Sequence, residues 1–374
     1  MRLLFVTDGI TPYVIGGMQR HSENLVRSLL KSNVHLTLIH CVYNGKKLPS
    51  QEDVRSLFHG TNGNLEVIGL NFPTNQSFPG HYIRNSKEYS NLCFNSVRGR
   101  LGEFDFIYTK GFTTYSFLKN RNFSKTPAIG VMLHGLEMFQ PSAGLKQTLQ
   151  KLGLKTIARY SIVNSDIVFS YGGKITTLIQ SIGIPEERII ESPGGIDESW
   201  LQTKALNQIG AKPRFLFVGR NEKRKGLKEL YEVLEGMNLN CEFHFVGPLP
   251  EVSNSNYTYH GEIKSKEELI QVLDNCDVLV CPSHSEGMPN VIMESMSRGL
   301  AIIATDVGAT SILVSEKNGW LIPPFNKSAL SKALLSASEA SLMGKKKRSI
   351  NIMKSFTFDN LAKELLGKIV NSSV

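Results

Sequence analysis

Two glutamates lie eight positions apart in the segment SHSEGMPNVIMESM, which spans residues 283–296. Pro289 favours the first turn of a helix, so we expect a helix that begins near Met288. Glu286 then lies in the loop before the helix, and Glu294 lies well inside it. Carboxylates placed in this way cannot pair on one helix face, but they can bind different parts of one long ligand.

Two predicted helix starts offer backbone N–H groups to a phosphate. Gly16 and Gly17, in IGGMQRH, follow the first strand and open a helix near Met18, where the absence of side chains lets an anion approach the backbone. A Gly-Gly pair is by itself more often only a turn. The N–H groups of Asn290 and Val291, at the start of the second helix, offer another such site.

Three polar side chains follow predicted strands, and open α/β sheets bind their ligands at these strand ends. Arg220 and Lys225 follow a strand in VGRNEKRKG and can clamp a diphosphate, although a solvated basic loop would have the same composition. His134 follows another strand in MLHGLE, although a lone histidine is more often structural.

Short apolar strands alternate with segments of helical period along the chain, which is typical of parallel sheets wrapped by helices. The predicted strands are 3–8, 34–40, 104–109, 128–133 and 166–170, and then, after a restart of the pattern, 215–219, 243–247, 277–283 and 301–305. The sequence therefore predicts two Rossmann-like domains, residues 1–192 and 193–355, with a closing helix over about 356–374 that packs back on the first domain.

Two further segments lead to weaker predictions. The region 44–85 is rich in Asn, Gly, Pro and Ser and is predicted to be loop-heavy. Phe72, Phe78 and Tyr82 are candidate apolar contacts for a substrate, although aromatic residues in loops more often pack locally. The basic run KKKR at 345–348 is predicted to be a solvated helix flank, with membrane contact as the other option.

The composition is that of a globular protein, since 41% of the 374 residues are hydrophobic and 20% are charged. The five cysteines are scattered without a C-x-x-C pair, so neither a disulfide framework nor a zinc site is expected. No apolar run approaches the ~18 residues of a membrane-spanning helix, and we expect a cytoplasmic location. The net charge is +9, and nearly all of the basic excess lies in residues 1–192. Such a face suits nucleic acid, an anionic membrane or an acidic substrate, or is simply a soluble surface.

The chain resembles the retaining glycosyltransferases of family four, which have the GT-B fold, and the resemblance spans nearly its whole length. Its most specific part is EGMPNVIME, from Glu286 to Glu294, followed by MSRGLAIIATDVGATS and NGWLIPP. GGMQRH, HGLE, NSDIVFS, GGID, and VGR followed by KG support it. The chain departs from the family pattern at Gly194 and Ile312. The resemblance implies an α/β protein whose two Rossmann-like domains face each other across a cleft.

The resemblance also implies roles for the matching residues toward a nucleotide-sugar donor in the C-terminal domain. Arg220 and Lys225 would bind the diphosphate with help from the backbone of Gly17, and Glu294 would accept hydrogen bonds from the ribose hydroxyls. The expected donor-binding residues are Gly16, Gly17, Arg220, Lys225, Ile263, Glu286, Gly287, Met288, Pro289, Asn290, Val291 and Glu294.

The reacting sugar would be held by Glu286, and His134 would approach it from the N-terminal domain, which binds the acceptor. Backbone groups near Glu262 and Ile263 would receive the base. The expected catalytic residues are His134, Arg220, Lys225 and Glu286.

The implied reaction is a front-face substitution with retained anomeric configuration, in which the leaving diphosphate helps to deprotonate the acceptor hydroxyl. Arg220 and Lys225 would stabilise the growing negative charge. The sequence has no D-x-D metal motif, and Asp274 and Asp277 have the wrong spacing for one. We therefore expect no metal and no cofactor.

The expected function is transfer of a hexose from a UDP-sugar, with GDP-mannose as the other option, in bacterial surface polysaccharide synthesis. O-antigen, capsule or lipopolysaccharide is the expected product class. The acceptor would be a glycan or a lipid-diphosphate-linked glycan, reached by peripheral contact with the inner face of the cytoplasmic membrane.

Three alternatives stay open from the sequence. The chain could be a nucleotide-sugar epimerase or hydrolase, or a non-catalytic subunit of a glycosylation complex, although the full set of candidate site residues argues against a decayed site. A nucleic-acid-binding protein is the third, but the basic half lacks interleaved aromatic and basic residues or a known module.

Overall fold

The computed structural model describes residues 1–43, 45–74, 80–140, 145–203, 206, 210 and 212–372. Two compact units are present: an N-terminal unit of residues 1–171, 175–193 and the segment from 358 onward, and a C-terminal unit of residues 172–174 and 194–357. None of the helices in these ranges is long and apolar enough to cross a membrane.

Each unit is built on one parallel sheet. The strands are β1 (Arg2–Val6), β2 (His35–Val42), β3 (Leu65–Asn71), β4 (Phe106–Lys110), β5 (Ala128–Met132), β6 (Ile167–Ser170), β7 (Ile189–Glu191), β8 (Arg214–Val218), β9 (Glu242–Val246), β10 (Tyr257–Tyr259), β11 (Val278–Cys281), β12 (Ala301–Thr305) and β13 (Gly319–Ile322). The N-terminal sheet has the order β3-β2-β1-β4-β5-β6-β7 and the C-terminal sheet the order β10-β9-β8-β11-β12-β13. The prediction of an α/β protein with two Rossmann-like sheets is confirmed.

Helices connect the strands of both sheets. They are α1 (Gly17–Lys31), α2 (Gln51–Ser56), α3 (His81–Val97), α4 (Tyr115–Lys119), α5 (Leu145–Asn164), α6 (Lys174–Ser181), α7 (Leu227–Glu235), α8 (Lys266–Asp274), α9 (Asn290–Ser297), α10 (Thr310–Leu313), α11 (Lys327–Glu339), α12 (Met343–Met353) and α13 (Phe358–Ser372). Within the N-terminal unit, α13 packs along α1, and the Lys31 ammonium lies 2.8 Å from the Asp359 carboxylate.

The central strands are apolar on both faces because helices cover both faces of a parallel sheet. In the N-terminal unit the core includes Tyr89, Ile107 and Phe117, and in the C-terminal unit it includes Phe215 and Phe243. The two cores belong to separate sheets, so each unit buries its own apolar surface.

In both sheets the direction of strand addition reverses once. The reversal falls between β1 and β4 in the N-terminal sheet and between β8 and β11 in the C-terminal sheet. Loops that leave the two central strands at such a point diverge to opposite sides, which opens a crevice at the carboxyl edge where α/β proteins bind ligands.

Half of the described residues in the region 44–85 lie outside helices and strands, so the region is rich in loops as predicted, but it is not loop throughout. It contains α2 and β3, and α3 begins inside it. The polar residues that suggested a loop are partly caps, since Ser50 and Asp53 form a reciprocal capping box at the start of α2. Phe72 is buried against Tyr43 and Tyr89 in the core, and it is therefore not a surface contact for a substrate.

Of the other two aromatic residues proposed as substrate contacts, Tyr82 is partly exposed and Phe78 lies outside the described residues.

The prediction for the basic run at 345–348 was wrong for one member. Lys346 is buried, with its ammonium 2.8 Å from the Asp277 carboxylate, because α12 turns this side chain toward the sheet.

Candidate functional site

A cluster of charged and polar side chains lies where β8 and β11 end, at the reversal point of the C-terminal sheet. The buried carboxylate of Glu286 is its centre, and Lys225, Ser283 and Arg224 donate to it. Lys225 Nζ lies 2.6 Å from Oε1, Ser283 Oγ donates to the same oxygen over 2.8 Å, and Arg224 Nη1 lies 3.3 Å from Oε2. Lys225 and Glu286 are predicted from separate motifs of the sequence, and the fold brings them into one ion pair.

The two loops that carry this pair are packed tightly on each other. Gly226, which directly follows Lys225, has a φ of +70°, and a Cβ added to it would lie 2.1 Å from the carbonyl oxygen of Pro282. The N–H of His284 also donates to the carbonyl of Arg224 over 2.7 Å. The glycine is therefore required both by its backbone angle and by the close approach of the second loop.

Arg220 lies outside the cluster around Glu286. Its side chain is 69% exposed, and its guanidinium lies 3.0 Å from the Glu222 carboxylate, which also pairs with Arg224 at 2.8 Å. Arg220 is thus a surface cation, two residues beyond the end of β8, that is paired with Glu222.

The helix after Gly287 begins at Asn290, two residues later than predicted. Pro289 is the N-cap, with extended backbone, and Met288 precedes it as a buried side chain. The helix begins later because the carbonyl of Gly287 accepts a hydrogen bond from the N–H of Ala309 over 2.7 Å, which keeps this residue in the loop. The N–H groups of Asn290 and Val291 occupy the first turn, where an anion is favoured.

The remaining predicted donor residues of the C-terminal unit lie on nearby elements. Glu294 is half-buried inside α9, and Met288 Sδ accepts from the N–H of Gly194 over 2.9 Å. Glu262 and Ile263 lie in the loop between β10 and α8, with Ser265 as the N-cap of that helix.

In the N-terminal unit, α1 begins at Gly17, with Gly16 as its N-cap, one residue before the predicted start. Gly16 has an extended φ of 171°, so its backbone does not by itself require glycine. The predicted residues thus divide between the units: His134, Gly16 and Gly17 belong to the N-terminal unit, and the others belong to the C-terminal unit.

A row of titratable side chains lies at the ends of four neighbouring strands of the N-terminal sheet. Asp8 follows β1, Lys110 ends β4, His134 follows β5 and Tyr171 follows β6. His21, on α1, lies among them. The Lys110 ammonium is 3.0 Å from His21 Nδ1, and the Tyr171 hydroxyl shares a short hydrogen bond with His134 Nδ1.

Burial shifts the pKa values of this row. Desolvation lowers the pKa of Lys110 to about 7, against the opposing charge of Asp8. Desolvation likewise raises the pKa of Asp8, and Lys110 limits that rise. The pKa values of His21 and His134 lie well below 6.5, first because of burial and then because of the charge of Lys110. Both imidazoles are therefore neutral at pH 7.

Sequence reasoning missed several residues of the two clusters. Arg224 and Ser283 flank predicted residues, but no spacing rule separates them from ordinary loop residues. Lys110 had a readable signal, since a lysine that ends an apolar strand in FDFIYTK must be either exposed or specifically paired. The other missed residues are Asp8, His21 and Tyr171. Within the described ranges, no group of three or more His, Cys, Asp or Glu side chains could hold a metal ion.

Proteins that the chain resembles in sequence are named as glycosyltransferases. Residues 212–339 match the family model described as Glycosyl transferases group 1. Over 123 residues the chain is 34% identical to the putative teichuronic acid biosynthesis glycosyltransferase TuaC of Bacillus subtilis (strain 168), which covers 32% of this chain and 31% of that relative. Over 278 residues it is 25% identical to the N,N'-diacetylbacillosaminyl-diphospho-undecaprenol alpha-1,3-N-acetylgalactosaminyltransferase of Campylobacter jejuni, which covers 69% of this chain and 72% of that relative.

The structural likeness extends over the whole chain. Sucrose-phosphate synthase from Thermosynechococcus elongatus superposes with a TM-score of 0.78 at 16% identity, over 100% of both chains. At this identity the likeness shows the fold. The family match covers the unit that holds Lys225 and Glu286. The chain therefore has the GT-B fold of glycosyltransferases, and its residues 212–339 match the model of the group 1 glycosyltransferase family.

Proposed function

We propose that the chain transfers a hexose from a nucleotide sugar, of the UDP class, to a hydroxyl group of a glycan or lipid-linked acceptor, with retention of the anomeric configuration. The product would be a bacterial surface polysaccharide such as a capsule or an O-antigen. The names of the two relatives, one in teichuronic acid synthesis and one acting on a diphospho-undecaprenol glycan, support this product class. The choice of UDP rests on the resemblance of the segment EGMPNV.

The observation that carries the proposal is the ion pair between Lys225 and Glu286 at the reversal point of the C-terminal sheet. A lysine and a carboxylate held at 2.6 Å in the ligand crevice offer a cation for a phosphate and an acceptor for a sugar hydroxyl. Arg224 and Ser283 hold the carboxylate oriented when Lys225 turns to the phosphate.

In this mechanism the diphosphate is bound by Lys225 and Arg220, with the first-turn N–H groups of Asn290 and Val291 beside it. Glu294 accepts hydrogen bonds from the ribose, and the backbone near Ile263 receives the base. The cations stabilise the negative charge that develops as the bond to the diphosphate breaks. We propose that this charge compensation replaces a metal ion, so that transfer persists in EDTA.

The N-terminal unit contributes neutral imidazole groups to the same proposal. His134 Nε2 is buried and has no hydrogen-bond partner among the described residues, and we propose that it forms a hydrogen bond with a hydroxyl group of the donor sugar. Because the pKa of His134 is lowered, first by burial and then by the charge of Lys110, the ring stays neutral and can exchange a hydrogen bond without adding charge.

We propose an acceptor on a lipid diphosphate at the inner face of the cytoplasmic membrane, because the basic excess of the chain lies in residues 1–192. Co-sedimentation with vesicles tests this part. We expect binding to anionic vesicles that weakens as salt is added, and no binding to neutral vesicles. Equal binding to both, or to neither, would remove the membrane from the proposal.

The first test of the donor site is thermal unfolding with UDP, GDP, ADP and their common sugar conjugates in EDTA. A ligand at 100 times its Kd stabilises the native state by about 2.7 kcal/mol, which raises the unfolding temperature. We expect one nucleotide family to do so. Lys225→Ala and Glu294→Ala should weaken that binding roughly 10- to 100-fold, since a hydrogen bond to a charged group contributes about 1.5–3 kcal/mol.

Lys223→Ala is the matched control, because Lys223 is exposed on the same short turn as Lys225. This variant should keep the rise in unfolding temperature that the nucleotide produces. No shift with any nucleotide would overturn the donor site and favour a non-catalytic subunit. If the nucleotide sugar is only hydrolysed or epimerised with every glycan acceptor offered, the transferase assignment to this substrate class fails. A requirement for divalent metal would remove the metal-free mechanism alone.

A further inference from the structure

Among the described lysine and arginine residues of the N-terminal unit, Lys110 is the most deeply buried. Its side chain is 1% exposed at the end of β4, next to the reversal point of the sheet. The ammonium donates to His21 Nδ1 over 3.0 Å and to the carbonyl of Met18 over 3.3 Å. Neither acceptor carries a formal negative charge.

This arrangement of a buried ammonium is unfavourable for the stability of the fold. A buried ammonium needs a close carboxylate to offset its lost hydration, and Lys346 shows the ordinary solution, with Asp277 at 2.8 Å. Lys110 instead has Asp8 only as a more distant opposite charge. A buried charge held by neutral groups beside a ligand crevice is the pattern expected of a functional site.

The contacts form a chain from Lys110 to His134. An ammonium has three N–H donors and no acceptor, so His21 Nδ1 must accept and its proton must lie on Nε2. The His21 ring packs edge-to-face with the His134 ring at 5.4 Å between centroids. Tyr171 holds the other side of His134 through Nδ1. His134 is therefore oriented from two sides, and Lys110 fixes one of them.

We propose that Lys110 is a positioning residue for sugar transfer, which holds His21 in one tautomer and thereby holds the ring of His134 in the orientation that contacts the donor sugar. The inference rests on the proposed function. The role is not that of a catalytic group, because Lys110 contacts His21 and the backbone of α1 and acts through them.

The arrangement makes turnover sensitive to pH. The pKa of Lys110 is lowered to about 7 by burial, and a neutral amine can accept as well as donate, so the tautomer of His21 is released as pH rises through that value. The titratable groups that face Lys110 are Asp8, His21 and, beyond it, His134 and Tyr171. The pKa values of both histidines lie well below 6.5, and that of Tyr171 lies well above 10, so these three do not titrate in the same range.

The first experiment is nitrogen NMR of the full chain with isotope-labelled histidine, because ring nitrogen shifts report which nitrogen carries the proton. His21→Gln and His134→Gln assign the signals. In the wild type at low to neutral pH we expect His21 as the Nε2–H tautomer. Lys110→Met should mix the two tautomers and move the His134 signals. Unchanged signals of both histidines would overturn the proposal, whatever the activity.

The second experiment measures turnover of the UDP-sugar that gives the largest thermal shift, by UDP release. We expect Lys110→Met to lower kcat about 100-fold, the size of loss that a small misplacement causes, with little change in KM for the donor. In the wild type, kcat should fall as pH rises above about 7. Lys110→Arg should restore part of kcat and remove this alkaline fall, because a guanidinium stays protonated.

Lys346→Met is the matched control, since it removes an equally buried lysine from the other unit. It should lower stability but leave the histidine signals and the shape of the pH profile unchanged. Loss of kcat in Lys110→Met with a wild-type pH profile and wild-type histidine signals would mean a merely structural role. A wild type that turns over no nucleotide sugar, with the expected tautomer present, would instead count against the proposed function.

Discussion

At the scale of single residues, His40 links the stability of the N-terminal unit to pH. It lies on β2, fully buried, and neither ring nitrogen has a hydrogen-bond partner among the described residues. Burial lowers the pKa of His40 from 6.5 to about 4. The folded state therefore keeps the ring neutral in a range where the unfolded chain already binds a proton.

We expect His40 to destabilise the fold as the medium is acidified. The contribution is absent above pH 6.5, where both states are neutral, and it grows as pH falls from 6.5 to about 4. It amounts to roughly 3 kcal/mol, since each unit of pKa shift corresponds to about 1.4 kcal/mol. His40→Phe, which keeps an aromatic ring and loses no hydrogen bond, should reduce the fall in the free energy of unfolding by about this amount in urea titrations across this range.

His35→Gln provides the comparison, because His35 begins the same strand but is exposed. It should leave the pH dependence of the free energy of unfolding as it is in the wild type. If His40→Phe and the wild type lose the same free energy between pH 6.5 and 4, the ring of His40 does not carry this dependence.

At the scale of elements, the loop after β8 depends on one glycine. Gly226 has a φ of +70°, and a Cβ added to it would lie 2.1 Å from the carbonyl oxygen of Pro282. Because this contact fixes the turn that precedes α7, it also fixes where Lys225 stands relative to Glu286. A change at Gly226 thus alters the ion pair without removing either of its members.

We expect Gly226→Ala to cost about 1–3 kcal/mol of stability, the usual range for a strained backbone position, and to abolish most of the thermal shift produced by nucleotide. Gly236→Ala, at the other end of α7, is the control. Its added Cβ would have its nearest neighbour at an ordinary 3.8 Å, so both properties should stay close to wild type. Equal effects of the two variants on nucleotide binding would show that the close contact at Gly226 does not position Lys225.

At the scale of the whole molecule, the two units have separate sheets and separate cores, so each should respond to its own defects. Asp277 is a fully buried carboxylate of the C-terminal unit. Burial alone would raise the pKa of this carboxyl, but hydrogen bonds from Lys346 and Arg214 hold it below its usual value. The carboxylate therefore stays charged inside the unit and needs both partners.

We expect Lys346→Met to cost about 3 kcal/mol, because it leaves a buried carboxylate only partly compensated. Hydrogen exchange should then accelerate in strands of the C-terminal sheet and stay unchanged in strands of the N-terminal sheet. Lys347→Met, at the exposed neighbouring position of α12, should change neither. Faster exchange in both sheets would show that the units unfold as one.

The amino-acid sequence alone determined the central part of both sheets. All nine predicted strands are present, and the four that were missed, β3, β7, β10 and β13, are the four edge strands of the two described sheets. The reason is physical. A central parallel strand is covered on both faces and appears as a continuous apolar run, whereas an edge strand is partly exposed, as in β10, where no residue of Tyr257–Tyr259 is fully buried.

The candidate site follows the same division. Motifs beside the strand ends identified Lys225, Glu286 and His134, because a strand end is readable in the chain. Only the tertiary structure showed that Lys225 and Glu286, 61 positions apart, form one ion pair, and that Lys110 reaches His21 across 89 positions. Neither periodicity nor spacing in the sequence predicts such contacts, because the order of strands in the sheet decides which strand ends become neighbours.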